Sequence, residues 1–135
     1  MKYLFLFIFL IFQAHSGELV LVVRSDSPIS VISKNELKKL YLGKSNIVQG
    51  KEFKAVNLNS RLRASEEFLS TYLGMSSQKF IKWWLKQQII GRARPPIVVS
   101  SQEEASNEAL KDINIIAYVN SSWVTDNHKK LTFID

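Results

Sequence analysis

The chain of 135 residues contains no cysteine, and it has only two histidines, three prolines and five glycines. The absence of cysteine excludes disulfide bridges, thiolate zinc sites and cysteine nucleophiles. His15 falls in an apolar amino-terminal segment, and the polar surroundings of His128 predict a surface position for it. A catalytic triad or a histidine metal cage would depend on that single residue, and glycine motifs for nucleotides are missing. These absences predict a protein that is not an enzyme and that carries no metal and no cofactor.

The amino terminus has the pattern of an export signal. Lys2 precedes an uninterrupted apolar run at residues 3–12, and Ala14 and Ser16 offer small side chains at the two cleavage-recognition positions. This pattern predicts a signal peptide over residues 1–16 and a periplasmic or secreted protein, with an uncleaved membrane anchor as the alternative. The run is too short to span a bilayer comfortably and no second one follows, so we expect no stable membrane insertion after cleavage. Residues 17–135 then form a single domain.

Basic residues outnumber acidic ones by 18 to 12, which gives a formal net charge of +6, and removal of Lys2 lowers it to +5. The basic residues are spread along the chain instead of forming one block. This balance favours an anionic partner. Export makes nucleic acid the least expected partner of that kind.

Aliphatic runs alternate with helical patterns along the rest of the chain. Strands are predicted at residues 19–23, 54–58, 97–99 and 113–119, with a possible edge strand at 130–134. Helices are predicted between them, two of which begin with the capping-box pairs Ser33 with Glu36 and Ser101 with Glu104. Continuous aliphatic strands separated by helices predict an α/β fold with a single open, largely parallel sheet and helices on both faces.

Polar and basic side chains follow three of the predicted strands, after Arg24, from Asn57 onward and at Ser100. Ligands of open parallel sheets bind beyond the carboxyl ends of the strands, so we expect these loops to converge. The segment from Asn57 to Phe68 carries amide, hydroxyl and guanidinium groups just before a helix, where free N–H groups attract anions. The same groups would also simply cap and solvate the helix.

Two further features remain open from the residues alone. Arg92 and Arg94 precede a diproline that favours an extended backbone, which suits recognition of phosphate or carboxylate but also suits a solvated loop. Trp83 and Trp84 point about 100° apart on a predicted helix, so one of them is expected at the edge of the core. Together with nearby lysines they could instead form a basic aromatic patch for a membrane or a sugar.

Residues 28–44, which read PISVISKNELKKLYLGK, are similar to a stretch of phosphate ABC-transporter substrate-binding proteins. Later landmarks follow in the same order, at residues 68–74, at the tryptophan pair, at Gly91, at the diproline and at residues 116–119. The resemblance is to short, single-lobe relatives, and it implies one lobe of a type II periplasmic binding protein. It also implies an oxyanion held by hydroxyls, backbone N–H groups and an arginine at helix starts.

On this resemblance the expected ligand-binding residues are Ser25, Asn57, Ser60, Arg61, Arg63, Ser65 and Arg94. The family's Ser-Gly-Thr motif is absent here, so Ser60, Arg63 or Ser65 would replace its donors. The expected function is an exported, non-enzymatic module that binds phosphate or another small oxyanion for an ABC transporter. The alternative is an envelope protein-interaction or sensory-accessory domain that has lost solute binding. A homodimer or an envelope protein partner could supply the wall that a second lobe would provide.

Overall fold

A computed structural model describes residues 17–91 and 93–135, so the predicted signal peptide and Arg92 lie outside the described residues. Within the described ranges, no helix has both the length and the apolar character needed to cross a bilayer. The elements, in chain order, are β1 (Leu19–Arg24), β2 (Val31–Ile32), α1 (Lys34–Tyr41), β3 (Ile47–Val48), β4 (Lys51–Glu52), β5 (Lys54–Leu58), α2 (Arg63–Phe68), a π-helical turn (Leu69–Leu73), α3 (Ser77–Ile90), β6 (Ile97–Val99), α4 (Gln102–Ala109), β7 (Ile115–Asn120), a 3₁₀ turn (Ser121–Trp123), β8 (His128–Lys130) and β9 (Thr132–Phe133).

Five strands form one open sheet in the order β6-β5-β7-β1-β8. Strand β5 pairs in parallel with β6 and with β7, whereas β1 pairs antiparallel with both β7 and β8. Four of the five strands therefore point the same way, and β1 is the exception. The predicted α/β fold with a single, largely parallel open sheet and helices on both faces is confirmed.

Because β1 runs antiparallel to its neighbours, the predicted site loop after Arg24 lies at the other end of the strands. The register places Leu19 opposite Asn120 and Arg24 opposite His128, so the carboxyl end of β1 lies beside the start of β8. The carboxyl ends of β5 and β6 lie at the other edge of the sheet, where Leu58 pairs with Val99. The expectation that the loop after Arg24 converges with the loops after β5 and β6 is wrong, because a strand that runs antiparallel ends at the opposite edge.

An aromatic cluster holds α1 and α2 on the sheet. The ring of Phe68 stacks on that of Tyr118, with centroids 3.8 Å apart, and the Tyr41 ring lies 4.8 Å from Phe68. The Tyr41 hydroxyl donates to the Val56 carbonyl at 2.6 Å. All three rings are buried, so they fix both helices relative to β5 and β7.

Both predicted capping serines stand at helix starts, but only α1 forms the complete capping box. At α1 the Ser33 hydroxyl accepts from the Glu36 N–H, and the Glu36 carboxylate accepts from the Ser33 N–H. At α4 the Ser101 hydroxyl accepts from the Glu104 N–H, but the Glu104 carboxylate accepts from the N–H of Ser100, one residue earlier. In both places the sequence pattern identified the residue before the helix.

The two adjacent tryptophans tie α3 to the end of α1. Trp84 is buried and Trp83 is half-buried, as expected for a pair of which one lies at the edge of the core. The indole N–H of Trp83 donates to the Leu42 carbonyl at 2.8 Å, and that of Trp84 donates to the Tyr41 carbonyl at 3.1 Å. These carbonyls stand at the end of α1, where helical acceptors lack partners. A surface aromatic patch formed by both rings is therefore wrong.

The predicted surface position of His128 is also wrong, because only 8% of this residue is exposed. It begins β8, which pairs with β1 at the edge of the sheet. Its Nδ1 accepts from the Thr125 N–H at 3.0 Å, and its Nε2 stands 2.8 Å from the Ser106 carbonyl, to which it donates. The polar residues beside His128 in the sequence do not indicate a strand, yet the histidine begins β8 and its side chain is buried.

Candidate functional site

A cavity of 280 Å³ opens at the carboxyl end of β5, between the loop that follows this strand and helix α3. Its polar side is formed by amides and hydroxyls, and its opposite wall is formed by α3 and the diproline. The described residues that line it include no charged side chain. They are Asn57, Leu58, Asn59, Ser60, Ser65, Leu69, Ser77, Phe80, Ile81, Trp84, Leu85, Gln88, Pro95, Pro96 and Val98.

The loop between β5 and α2 is shaped by Asn59. Its backbone N–H donates to the Val99 carbonyl at 2.8 Å, which continues the pairing of β5 with β6. Its side-chain oxygen accepts from the Arg61 N–H at 3.0 Å and turns the chain toward α2. Leu62 precedes the helix, and no side chain caps that start. The polar groups of this segment therefore turn the loop and line the cavity, and they do not cap the helix.

Asn57 is held in place by Tyr118. Its side-chain oxygen accepts a short hydrogen bond from the Tyr118 hydroxyl, which in turn accepts from the Leu58 N–H at 3.0 Å. Burial raises the pKa of the Tyr118 hydroxyl to about 12, so it stays protonated and acts as a donor at neutral pH. Because its oxygen is occupied, the amide –NH₂ is the part of Asn57 that is left for a ligand.

Ser65 contributes a buried hydroxyl without a partner. The residue is fully buried, it lines the cavity, and its Oγ makes no hydrogen bond within the described part of the chain. It lies near the Tyr118 hydroxyl, which donates to Asn57 and accepts from the Leu58 N–H, and no hydrogen bond of normal geometry joins the two hydroxyls. An unpaired buried hydroxyl costs about 1–3 kcal/mol, so this group is a natural contact for a bound acceptor.

The other three predicted ligand-binding residues of this segment, Ser60, Arg61 and Arg63, are exposed. Ser60 lines the cavity, whereas Arg61 and Arg63 stand in solvent and do not line it. Their charges raise the positive potential around the opening, but water screens exposed charges strongly. Of the predicted segment, the structure thus brings Asn57, Ser60 and Ser65 together around one cavity and leaves the two arginines outside it.

Ser25 and Arg94 do not join this cavity. Ser25 is exposed at the opposite edge of the sheet, where its N–H donates to the Asn127 carbonyl at 2.8 Å. Arg94 is exposed and borders a separate cavity of 620 Å³, together with Lys44 and Lys54. Grouping these two residues with the segment after β5 is corrected here, because strand direction and the path of the loop after α3 place them elsewhere.

Ser77 is a lining residue that the sequence reasoning missed. Two adjacent serines, Ser76 and Ser77, stand at the start of α3, and the sequence alone does not distinguish which of the two hydroxyls caps the helix. Ser76 accepts from the Lys79 N–H at 3.2 Å and takes that role, so Ser77 is the serine that faces the cavity. Tyr118 was also missed, because it orients Asn57 from a strand 61 positions away in sequence.

Within residues 17–91 and 93–135, no group of three or more His, Asp or Glu residues could hold a metal ion. The side chains that line the cavity offer neutral hydrogen-bond donors beside an apolar wall. The cavity lies beyond the carboxyl ends of β5 and β6, which is where ligands of open α/β sheets generally bind.

Solved structures of phosphate-transport binding proteins share this fold. One is assigned as a phosphate ABC transporter substrate-binding protein of Clostridium perfringens with bound phosphate; its TM-score is 0.68 at 12% identity, over 85% of this chain and 44% of that chain. An ABC-type phosphate transport receptor of Vibrio cholerae gives 0.64 at 13% identity, over 85% and 45% of the two chains. PstS of Borrelia burgdorferi gives 0.66 at 16% identity, over 87% and 47%.

The chain spans less than half the length of these structures, so it corresponds to one of their lobes. No family model matches the chain, and no curated protein matches it in sequence. At such low identity the likeness is one of fold. The resemblance to phosphate ABC-transporter substrate-binding proteins that residues 28–44 indicated is confirmed at that level.

Proposed function

We propose that the chain is a non-enzymatic binding module for a small oxyanion, with phosphate as the first candidate ligand. The observation that carries the proposal is the buried, unpaired Ser65 hydroxyl in the cavity at the carboxyl edge of β5. The fold shared with phosphate-transport binding proteins supports the same ligand class. We further propose a single domain over residues 17–135, exported by the signal peptide at residues 1–16, that serves an ABC transporter.

The cavity would hold an oxyanion through neutral donors. The hydroxyls of Ser60, Ser65 and Ser77 and the amide –NH₂ of Asn57 are each able to donate to an anionic oxygen. Hydrogen bonds to a charged group are stronger than those between neutral groups. The exposed Arg61 and Arg63 would attract the anion to the opening without touching it in the cavity.

The sharpest test removes one oxygen atom. We expect Ser65→Ala to weaken phosphate binding by about 1.5–3 kcal/mol, the range for a hydrogen bond to a charged group. Because the hydroxyl has no partner in the free protein, its removal should not lower the free energy of unfolding. Isothermal titration calorimetry with phosphate and urea unfolding measure the two effects.

Ser106→Ala is the matched control, because it also removes a buried serine hydroxyl. That hydroxyl donates to the Trp123 carbonyl at 2.9 Å and lies outside the cavity. We expect this variant to lose about 1–2 kcal/mol of unfolding free energy and to keep its phosphate affinity. Wild-type protein that gives neither heat nor a thermal shift with millimolar phosphate, sulfate or phosphorylated sugars would contradict the proposal and favour the alternative of an interaction domain.

A further inference from the structure

Helix α3 carries one set of buried apolar residues and, beside it, a second set that is exposed. Phe80 and Trp84 are buried against the core. Ile81, Leu85 and Ile89 follow one another at intervals of four residues, so they form a line along a different side of the helix. Their exposed fractions are 47%, 56% and 87%, and we call this line the α3 stripe.

The α3 stripe belongs to a larger uncovered apolar surface. Val98, on the edge strand β6, is 62% exposed and borders the same cavity as Ile81 and Leu85. A surface helix normally exposes a polar face, so a line of exposed apolar residues beside the buried ones is unusual. Exposed apolar residues grouped in this way mark an interaction site.

The charge around the stripe has a single sign. Residues 68–102 contain no Asp or Glu, and they contain five basic residues, of which Lys79, Lys82 and Lys86 lie on α3. At 100° per residue, these three lysines follow Ile89 around the helix within about 80°. The ion pairs of the described residues join Arg24 to Asp26 and Lys111 to Glu108, so they leave the α3 lysines to other partners.

We infer that the α3 stripe docks peripherally on the surface of an anionic phospholipid bilayer. Aliphatic side chains flanked by lysines on one helix are the pattern of helices that lie in a membrane interface. Lysine stems can follow the apolar side chains while their ammonium groups stay at the anionic headgroups. The inference concerns contact with the surface and does not depend on the ligand of the cavity.

Other partners fit this surface less well. A second copy of the chain seated on the same stripe would bring two acid-free, lysine-bearing helices together, and their like charges would repel. A polyanion such as a nucleic acid would use the lysines but would leave the line of Ile81, Leu85 and Ile89 uncovered. The bilayer surface is the partner that satisfies the aliphatic and the cationic groups together.

A single fluorescent label tests the contact directly. Because the chain has no cysteine, Ile89→Cys in the full chain can carry one nitrobenzoxadiazole group at the most exposed position of the stripe. Vesicles of phosphatidylcholine with added phosphatidylglycerol should shift its emission to the blue, and phosphatidylcholine alone should not. The same label at Asn107→Cys, exposed on α4, is the control and should not respond.

The lysines provide a second measurement. Each lysine near an anionic surface contributes about 1 kcal/mol, or about fivefold in affinity. Replacing the three α3 lysines by Gln should therefore lower the affinity for anionic vesicles, read from the emission shift of the Ile89→Cys label, on the order of a hundredfold. The charge-matched control replaces three exposed lysines elsewhere, Lys38, Lys39 and Lys51.

Three outcomes would overturn the inference. One is an Ile89→Cys label that does not respond to the anionic vesicles, and another is an equal loss of response in the control lysine variant. The third is a shift that grows with protein concentration when vesicles are absent, which would assign the face to a second copy. The labelled and substituted residues do not line the cavity, so these results are separate from those for phosphate binding.

Discussion

Among the described residues, three buried side chains have an oxygen atom without a hydrogen-bond partner, those of Ser27, Ser65 and Asn114, and of these Ser65 lines the cavity. The hydroxyl of Ser106 and both ring nitrogens of His128 are engaged at the edge of the sheet, far from the carboxyl end of β5. The Ser65 hydroxyl lines the cavity and is unpaired. A polar group whose hydrogen bonds are complete stabilises the fold, whereas an unpaired group that lines a cavity has free bonding capacity for a ligand.

His128 provides a prediction at the residue scale. We expect His128→Ala to lower the free energy of unfolding by about 2–4 kcal/mol, because the Thr125 N–H and the Ser106 carbonyl lose their buried partner. Phosphate affinity should not change, since the residue lies outside the cavity. Urea unfolding followed by tryptophan fluorescence measures the first effect.

Asn127→Ala is the control for that variant. Asn127 is exposed, and its recorded hydrogen bonds involve only its backbone. We expect a change in unfolding free energy within about 0.5 kcal/mol, as for most surface substitutions. A destabilisation equal to that of His128→Ala would mean that the two buried bonds of His128 contribute little.

At the scale of elements, the joint between α1 and α3 is the most specific packing feature. The two indole N–H groups of α3 donate to the carbonyls of Tyr41 and Leu42 at the end of α1. Gly43 follows with a φ of 69°, and a Cβ at this position would stand 2.5 Å from the Trp84 ring. The glycine therefore permits both the left-handed turn and the close approach of the indole.

A comparison of Gly43 with Gly74 distinguishes the cost of the left-handed backbone from the cost of the contact with Trp84. Gly74 has a similar φ of 66°, but a Cβ there would meet nothing within 4 Å. We expect Gly74→Ala to cost about 1 kcal/mol of unfolding free energy from backbone strain alone. Gly43→Ala should cost a further 1–3 kcal/mol, roughly, because the Trp84 ring must move. Equal losses in urea unfolding would show that the indole contact imposes no steric constraint.

The helices and the central strands could be predicted from the sequence because capping residues and aliphatic runs are local patterns. The predicted strands at residues 54–58 and 97–99 match β5 and β6, and Ser33 and Ser101 precede α1 and α4 as expected. The direction of β1 was not readable, since an aliphatic run has the same composition whichever way its neighbours point. The possible edge strand predicted at residues 130–134 covers β9, but β9 pairs with β2, and the edge strand of the main sheet is β8 at His128–Lys130. The strands β2, β3 and β4 were missed because two residues provide no periodic pattern.

At the scale of the whole molecule, the chain corresponds to less than half of the proteins that share its fold. Residues 17–135 taken by themselves leave one side of any bound anion open to water, and water weakens charge-assisted hydrogen bonds. We therefore expect a phosphate Kd in the millimolar range, corresponding to about 4 kcal/mol of binding free energy. Calorimetry at low protein concentration measures this value.

A second wall would change that affinity. If a homodimer closes the cavity, the affinity for phosphate should rise with protein concentration, and phosphate should promote the dimer in sedimentation experiments, as linkage requires. A micromolar Kd for a species that sediments as a monomer would contradict the open-lobe expectation. Such a result would mean that the donors around Ser65 suffice without a second wall.

The sequence by itself determined the α/β class, the starts of α1 and α4, and the segment after β5 as the candidate ligand-binding region. These features depend on residues close together in the chain, whose spacing fixes caps, turns and aliphatic runs. Only the tertiary structure decided that Asn57, Ser60 and Ser65 share a cavity while Ser25 and Arg94 do not. Only the tertiary structure shows that His128 is buried and that the α3 stripe is exposed, because burial depends on strand direction and on contacts between residues far apart in sequence.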